Sequence, residues 1–220
     1  MSEFTTENFS KDFFISGYKD YCSRVGNVPS SAYRLCKFLY IQEVDFSIHF
    51  DSIKDLQRTV WNSFLFTTIE RLAASEEYEN YCARERLLAF YYTLFEDLKP
   101  EHAFYKATFQ QLKLTLFTNH QVAIFKAAFG PYINELIALA KETEEISARA
   151  VIENYYEQAF SVHFLFLLNF WSSDTSQNFQ DTDAAVEKST NLLFDLLQRN
   201  AGDATADFAK FLFTHGFKLL

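Results

Sequence analysis

Apolar residues recur along this chain at the three- and four-residue spacing of helices that bury one face, and strand-like alternation is nowhere sustained. In FSKDFFISGYKDYCSRV, Phe14, Tyr18, Cys22 and Val25 share a face. Residues 26–29, GNVP, end that helix, and Ser30 and Ser31 supply a cap for a second one reaching about Phe38. A short turn leads into a short helix over about 42–48. Ser52 and Asp55 then form the S-x-x-D pattern that opens a long helix through Trp61, Leu65, Ile69 and Leu72.

The remainder predicts longer helices. They cover 78–98, stopped before Pro100; 101–117; 120–129, with a break at Gly130-Pro131; 132–146; 147–171; 184–200, ended at Gly202; and 204–217. Residues 172–183 form a polar loop. The expected fold class is all-α: a three-helix headpiece over 1–56 and a larger helical body over 57–220.

Composition agrees with one globular chain. Of 220 residues, 49% are hydrophobic and 22% charged, and only five are Gly and three Pro. Twenty-six Phe and twelve Tyr call for a tightly packed aromatic core or an apolar cavity. The net charge of −9 opposes loose attraction to nucleic acid or to an anionic membrane, without forbidding a local basic patch. Cys22, Cys36 and Cys82 are dispersed and form no CxxC, which fits a reduced, cytoplasmic setting and argues against a disulfide framework or zinc site. All three fall in helical patterns, where burial is expected. The first residues, MSEFTTENFSKDFF, have no apolar signal-peptide core. The most apolar run, VHFLFLLNFW, is too short to span a bilayer and reads as a buried helix.

The segment LCKFLYIQEVDFSIHFDSIKDL, from Leu35 to Leu56, has the spacing of a helix-turn-helix entering another helix. Leu35, Leu39, Ile41, Phe46, Phe50 and Leu56 stand at its apolar positions and Ser52 at its cap. With three short helices, a linking helix and an aromatic all-helical body, the chain resembles the TetR family of one-component transcriptional regulators. The helix order matches over the whole chain; the motif match is confined to this segment. Several positions depart from the pattern. Tyr40 stands where the family has a turn Gly, Val44-Asp45 replace a small Gly-Thr pair, Ser47 and His49 replace two Tyr, and Ile53 replaces a Lys found instead as Lys54. Residues 1–56 hold six basic and eight acidic side chains, a balance of −2.

The resemblance implies DNA as a partner. Arg34, Lys37, His49 and Lys54, with Ser47, are placed to meet phosphate. Gln42 is suited to adenine, and Glu43 and Asp45 to cytosine N4. It also implies a homodimer through about 147–171 and 184–200, and a pocket in the body for an apolar or aromatic small molecule. The candidates for that pocket are Tyr91, Phe95, Phe125, Phe129, Tyr156, Phe160 and His163, with His163 and Asn169 the polar groups on an otherwise apolar helix. An aromatic stripe at helical spacing is also what a plain core looks like. The alternative is a TetR-fold protein that has lost DNA binding and carries an apolar or lipid-like molecule or scaffolds a partner.

Catalytic patterns are lacking. There is no P-loop, GxGxxG, GxSxG, HExxH or Glu-x-x-His pair, and the five His form no i, i+4 pair. The acidic groups at 76–79 and 142–145 read as solvated faces and helix starts. Neither enzymatic activity, a cofactor, a metal nor a membrane partner is expected.

Overall fold

The computed structural model describes residues 9–109, 120–147 and 155–198, with the backbone alone at 120–126. Among them every regular element is helical. The headpiece contains α1 (Lys11–Val25), α2 (Ala32–Leu39) and α3 (Glu43–Ser47). The body contains α4 (Ile53–Ala73), α5 (Glu76–Glu79), α6 (Ala83–Leu98), α7 (His102–Phe109), α8 (His120–Glu142), α9 (Tyr156–Ser173) and α10 (Gln180–Leu197).

Helices α1, α2 and α4 begin where side-chain caps permit. Ser10, Ser31 and Ser52 accept backbone N–H bonds from Phe13, Arg34 and Asp55, at 3.2, 3.3 and 3.2 Å. Gly26 ends α1 at φ 74°, a left-handed conformation glycine adopts without steric cost. Phe14 sits at the centre, fully buried, with ring centroids of Phe46 and Phe50 at 5.5 and 6.3 Å and the His49 ring at 5.5 Å.

Helix α1 also packs on α7, so headpiece and body share one continuous buried cluster. Tyr18 meets Phe104 edge-on at 5.7 Å, and its hydroxyl accepts from Gln57 Nε2 at 3.2 Å. Lys19 pairs with Glu101 at 2.6 Å across the same seam. In the body α4, α6 and α8 pack mutually, α9 lies against α7 and α8, and α10 covers α6 and α9.

Several expected boundaries are corrected. The helix expected over 78–98 is two: α5 stops at Glu79, a turn follows, and α6 starts at Ala83. Cys82 is therefore the half-buried N-cap residue of α6, not a buried helical thiol. Its partner Glu145, expected on a solvated face, instead accepts the N–H groups of Ala83 and Arg84 at 2.7 and 3.1 Å. A carboxylate there complements the positive end of the helix dipole. The expected break at Gly130-Pro131 is absent, since α8 runs through Pro131. Buried Phe129, Tyr132, Ile133, Leu136, Ile137 and Ala140 line its inner face and outweigh the missing proline N–H. The helix expected over 147–171 is shown from Tyr156 on; Ser147 is not helical, and 148–154 lie outside the described residues. Helix α10 starts at Gln180, four residues before the expected 184. The helix expected over 204–217 lies outside the described residues.

Candidate functional site

The turn between α2 and α3 decides whether the headpiece is a helix-turn-helix. Tyr40 takes φ 59°, ψ 36°, the left-handed conformation usually left to glycine. Its N–H donates to the Lys37 carbonyl at 3.4 Å, and that of Ile41 to the Cys36 carbonyl at 3.0 Å. These two bonds make a Schellman stop. The conformation costs a tyrosine on the order of 1–2 kcal/mol, and the stop is kept nonetheless. Its side chain points into solvent, 96% exposed.

Around this turn the candidate DNA-contacting residues divide into two sets. Arg34, Lys37 and Lys54 are exposed and form no ion pair among the described residues. Arg34 and Lys37 share the wall of an open groove of about 480 Å³ with Tyr21, Tyr33 and Phe38. Gln42 and Glu43 are exposed at the start of α3. The second set is engaged locally. The Asp45 carboxylate accepts the Gln42 N–H at 3.3 Å, capping α3. The Ser47 hydroxyl donates to the Val44 carbonyl at 2.8 Å, and the His49 ring is half-buried against Phe14. Sequence reasoning passed over Val44 and Ile48, which stand 60% and 68% exposed beside Gln42 and Glu43. Their four-residue spacing on a short helix was the available signal.

In the body, Tyr91 and Phe129 lie against Phe164, with ring centroids at 5.6 and 4.4 Å, and His163 lies against Tyr91 at 5.3 Å. Phe95 lies against Trp171 at 5.5 Å, and Phe160 meets Phe194 of α10 at 5.8 Å. The Tyr156 hydroxyl donates to the Ser147 carbonyl. The Phe125 side chain lies outside the described residues.

His163 is the centre of a directed polar chain. The Ser189 hydroxyl donates to the Ala185 carbonyl at 2.5 Å, so it accepts from His163 Nε2–H at 2.8 Å. The other ring nitrogen, Nδ1, then accepts from the Tyr91 hydroxyl at 3.0 Å. The chain joins α6, α9 and α10 through an imidazole that must stay neutral. Burial drives its pKa from 6.5 down to about 3.

Two helices of the body leave apolar pairs outside. Phe166 and Phe170 on α9 are exposed and adjacent, with rings 6.1 Å apart, and Leu192 and Leu196 are exposed on α10. Each pair is spaced by four residues, so each forms part of one helix face.

A family model described as the tetracyclin repressor-like C-terminal domain matches residues 86–212. The chain belongs to the TetR family. No curated protein and no solved structure matches it. The match begins in α6 and lies wholly within the body, so the TetR assignment rests on the body and not on the α2–turn–α3 segment. The all-α architecture agrees with that assignment. Among the described residues no helix is long and apolar enough to cross a membrane, and no cluster of His, Cys, Asp or Glu could hold a metal ion.

Proposed function

We propose that this TetR-family regulator is a homodimer that binds DNA through α2 and α3 and responds to a small molecule held in its body. The observation that carries the DNA reading is the set of exposed cations Arg34, Lys37 and Lys54 flanking α3, none in an ion pair among the described residues. They are available to phosphate. Gln42 and Glu43 carry base-edge hydrogen-bonding groups, and Val44 and Ile48 suit thymine methyl groups. With Asp45 used as a cap, only Glu43 of the two acidic residues on α3 is left to meet cytosine.

The seam between α1 and α7 offers a route from body to headpiece. A shift of α7 moves Phe104 and Glu101, and with them Tyr18 and Lys19 of α1. In a dimer this changes the spacing of the two recognition helices, and hence their fit to successive major grooves.

Fluorescence anisotropy against DNA from the gene's own upstream region, at several salt concentrations, tests the DNA reading. The logarithm of affinity is expected to fall linearly with log salt. Each lost phosphate contact lowers the slope by about 0.9, so replacing both Arg34 and Lys37 by Ala in each protomer removes about 3.6. An unchanged slope, or no binding at low salt, sinks the reading. It would favour a protein-binding headpiece, which exposed Tyr40, Val44 and Ile48 beside Glu43 would also suit.

The exposed pairs on α9 and α10 support the dimer. Phe166→Lys places a charge in that face, and sedimentation velocity is expected to show a monomer in place of a dimer. A wild-type chain that sediments as a monomer at micromolar concentration contradicts the proposal.

A further inference from the structure

The aromatic and basic side chains of α2 are gathered on one side of the helix. Tyr33, Arg34, Lys37 and Phe38 have the three- and four-residue spacing of a single face. With Tyr21 of α1 they line the open groove of about 480 Å³, a volume within the range of sites for small organic molecules. Tyr21 is buried and meets Phe38 edge-on at 5.2 Å, which gives the groove an aromatic floor. Tyr33 lines the same groove while 56% exposed, so its ring has surface left to cover.

The groove carries one sign of charge. Its wall holds Arg34 and Lys37 and no carboxylate. Neither cation has an ion pair among the described residues. Asp20, beside Tyr21 in the chain, is held by Arg24 at 2.6 Å. In a chain of net charge −9, this local excess of positive charge beside aromatic surface is complementary to a planar ring that carries an anion. Arg34 offers a planar fork that meets two phosphate oxygens at once, and Lys37 a compact point charge. A hydrocarbon would leave both cations uncovered, and a bare anion would leave the rings wet. The backbone of duplex DNA would satisfy the cations, but its phosphates and sugars have no ring face to set against Tyr33.

We propose that this groove binds a free nucleoside monophosphate, its base stacked on Tyr33 and its phosphate held by Arg34 and Lys37. Two cations match the charge of about −2 that a phosphate monoester carries near neutral pH. Stacking engages the face of a base and not its edges, so the site takes adenine and guanine alike. One consequence rests on the regulatory reading. Arg34 and Lys37 are the cations assigned there to DNA phosphate, so a bound nucleotide displaces DNA by direct competition at the headpiece. Binding of the nucleotide itself does not depend on that reading.

Isothermal titration calorimetry of the full chain at low salt tests the groove with AMP, adenosine, inorganic phosphate and a short single strand of deoxyadenylates. Saturable binding of one AMP per chain is expected. Adenosine lacks the charge and phosphate lacks the ring, so each is expected to bind about tenfold more weakly or worse. Arg34→Ala and Tyr33→Ala are each expected to weaken AMP about tenfold, and Tyr33→Phe, which keeps the ring, to stay within about twofold of wild type. Lys188→Ala, which removes an exposed cation of α10, is the control and is expected to change nothing. Tyr33, Arg34 and Lys188 are all exposed, so none of these variants removes a core side chain. Phosphate binding as tightly as AMP would mean an adventitious ion only. A strand that binds about tenfold tighter than AMP, and loses that margin with Tyr33→Ala, would make an unpaired nucleic-acid strand the occupant. Either result overturns the proposal, as does undiminished AMP binding by Tyr33→Ala or no heat from any probe. DNA anisotropy with and without AMP separates the site from the regulatory reading. AMP binding with no DNA binding keeps the site and counts against regulation. DNA binding without AMP binding does the reverse.

Discussion

Phe14→Ala is expected to lower stability by about 3–5 kcal/mol and to abolish DNA binding. Phe14 is the side chain on which α1, α3 and the turn after α3 converge. It is fully buried in α1, stands edge-on to Phe46 of α3 and to Phe50 of the following turn, and covers the His49 ring. The headpiece is small, and its elements cannot close around a void of that size without shifting α3. Because α1 also packs on α7 through Tyr18 and Phe104, part of the loss should appear in the unfolding of the whole chain. Urea denaturation followed by circular dichroism measures the stability, and anisotropy the DNA affinity. Lys11→Ala is the control: its ammonium lies 5.8 Å from the Phe50 ring centroid but the side chain is exposed, and a loss below about 1 kcal/mol is expected. A Phe14→Ala chain that stays within 1 kcal/mol of wild type would show that Phe14 does not hold the headpiece.

The headpiece was legible in the sequence because short-range chemistry builds it. Ser31, Ser52 and Gly26 declare their helix ends, and Phe14, Leu35, Phe46, Phe50 and Leu56 show by their spacing which faces are buried. Tyr40 was the exception. Intrinsic preference argues against tyrosine in a left-handed stop, and only the pair of backbone bonds it completes explains its conformation. The body was less legible because its boundaries are set from a distance. Nothing near Cys82 announces that Glu145, some sixty residues on, caps α6. Nor does the local sequence around Pro131 show that core burial carries α8 through it. The site residues follow the same division. Arg34, Lys37 and Lys54 were recognisable as exposed cations near the turn. Asp45, Ser47 and His49 were chosen by position in a motif, and their engagement with Gln42, Val44 and Phe14 depends on geometry that spacing does not give.

His163 is expected to make the folded chain acid-sensitive in a window that ordinary carboxylate titration does not explain. Its pKa in the folded state is about 3, against 6.5 unfolded. Between those values the unfolded chain binds a proton that the folded chain refuses, so stability rises with pH there and falls as the solution is acidified from 6.5 toward 3. Each pH unit removes up to about 1.4 kcal/mol, so acidification to pH 4 removes about 3 kcal/mol through this group alone. The neutral ring is required by its partners: Nδ1 accepts from Tyr91, so a second ring proton would face a hydroxyl that already donates to it. His163→Gln has no proton to take up and is expected to be less stable than wild type at pH 7.5, since the Tyr91–Ser189 chain loses its linking ring. Its stability is expected to fall less steeply below pH 6.5, by up to one proton. Urea midpoints at half-unit steps from pH 7.5 to 4 measure both slopes. Parallel curves would mean that His163 is protonated in the folded state. Only the Tyr91 bond would then be reversed, with Nδ1–H donating to the hydroxyl while Nε2–H still donates to Ser189, and α6, α9 and α10 would be joined through a charged ring.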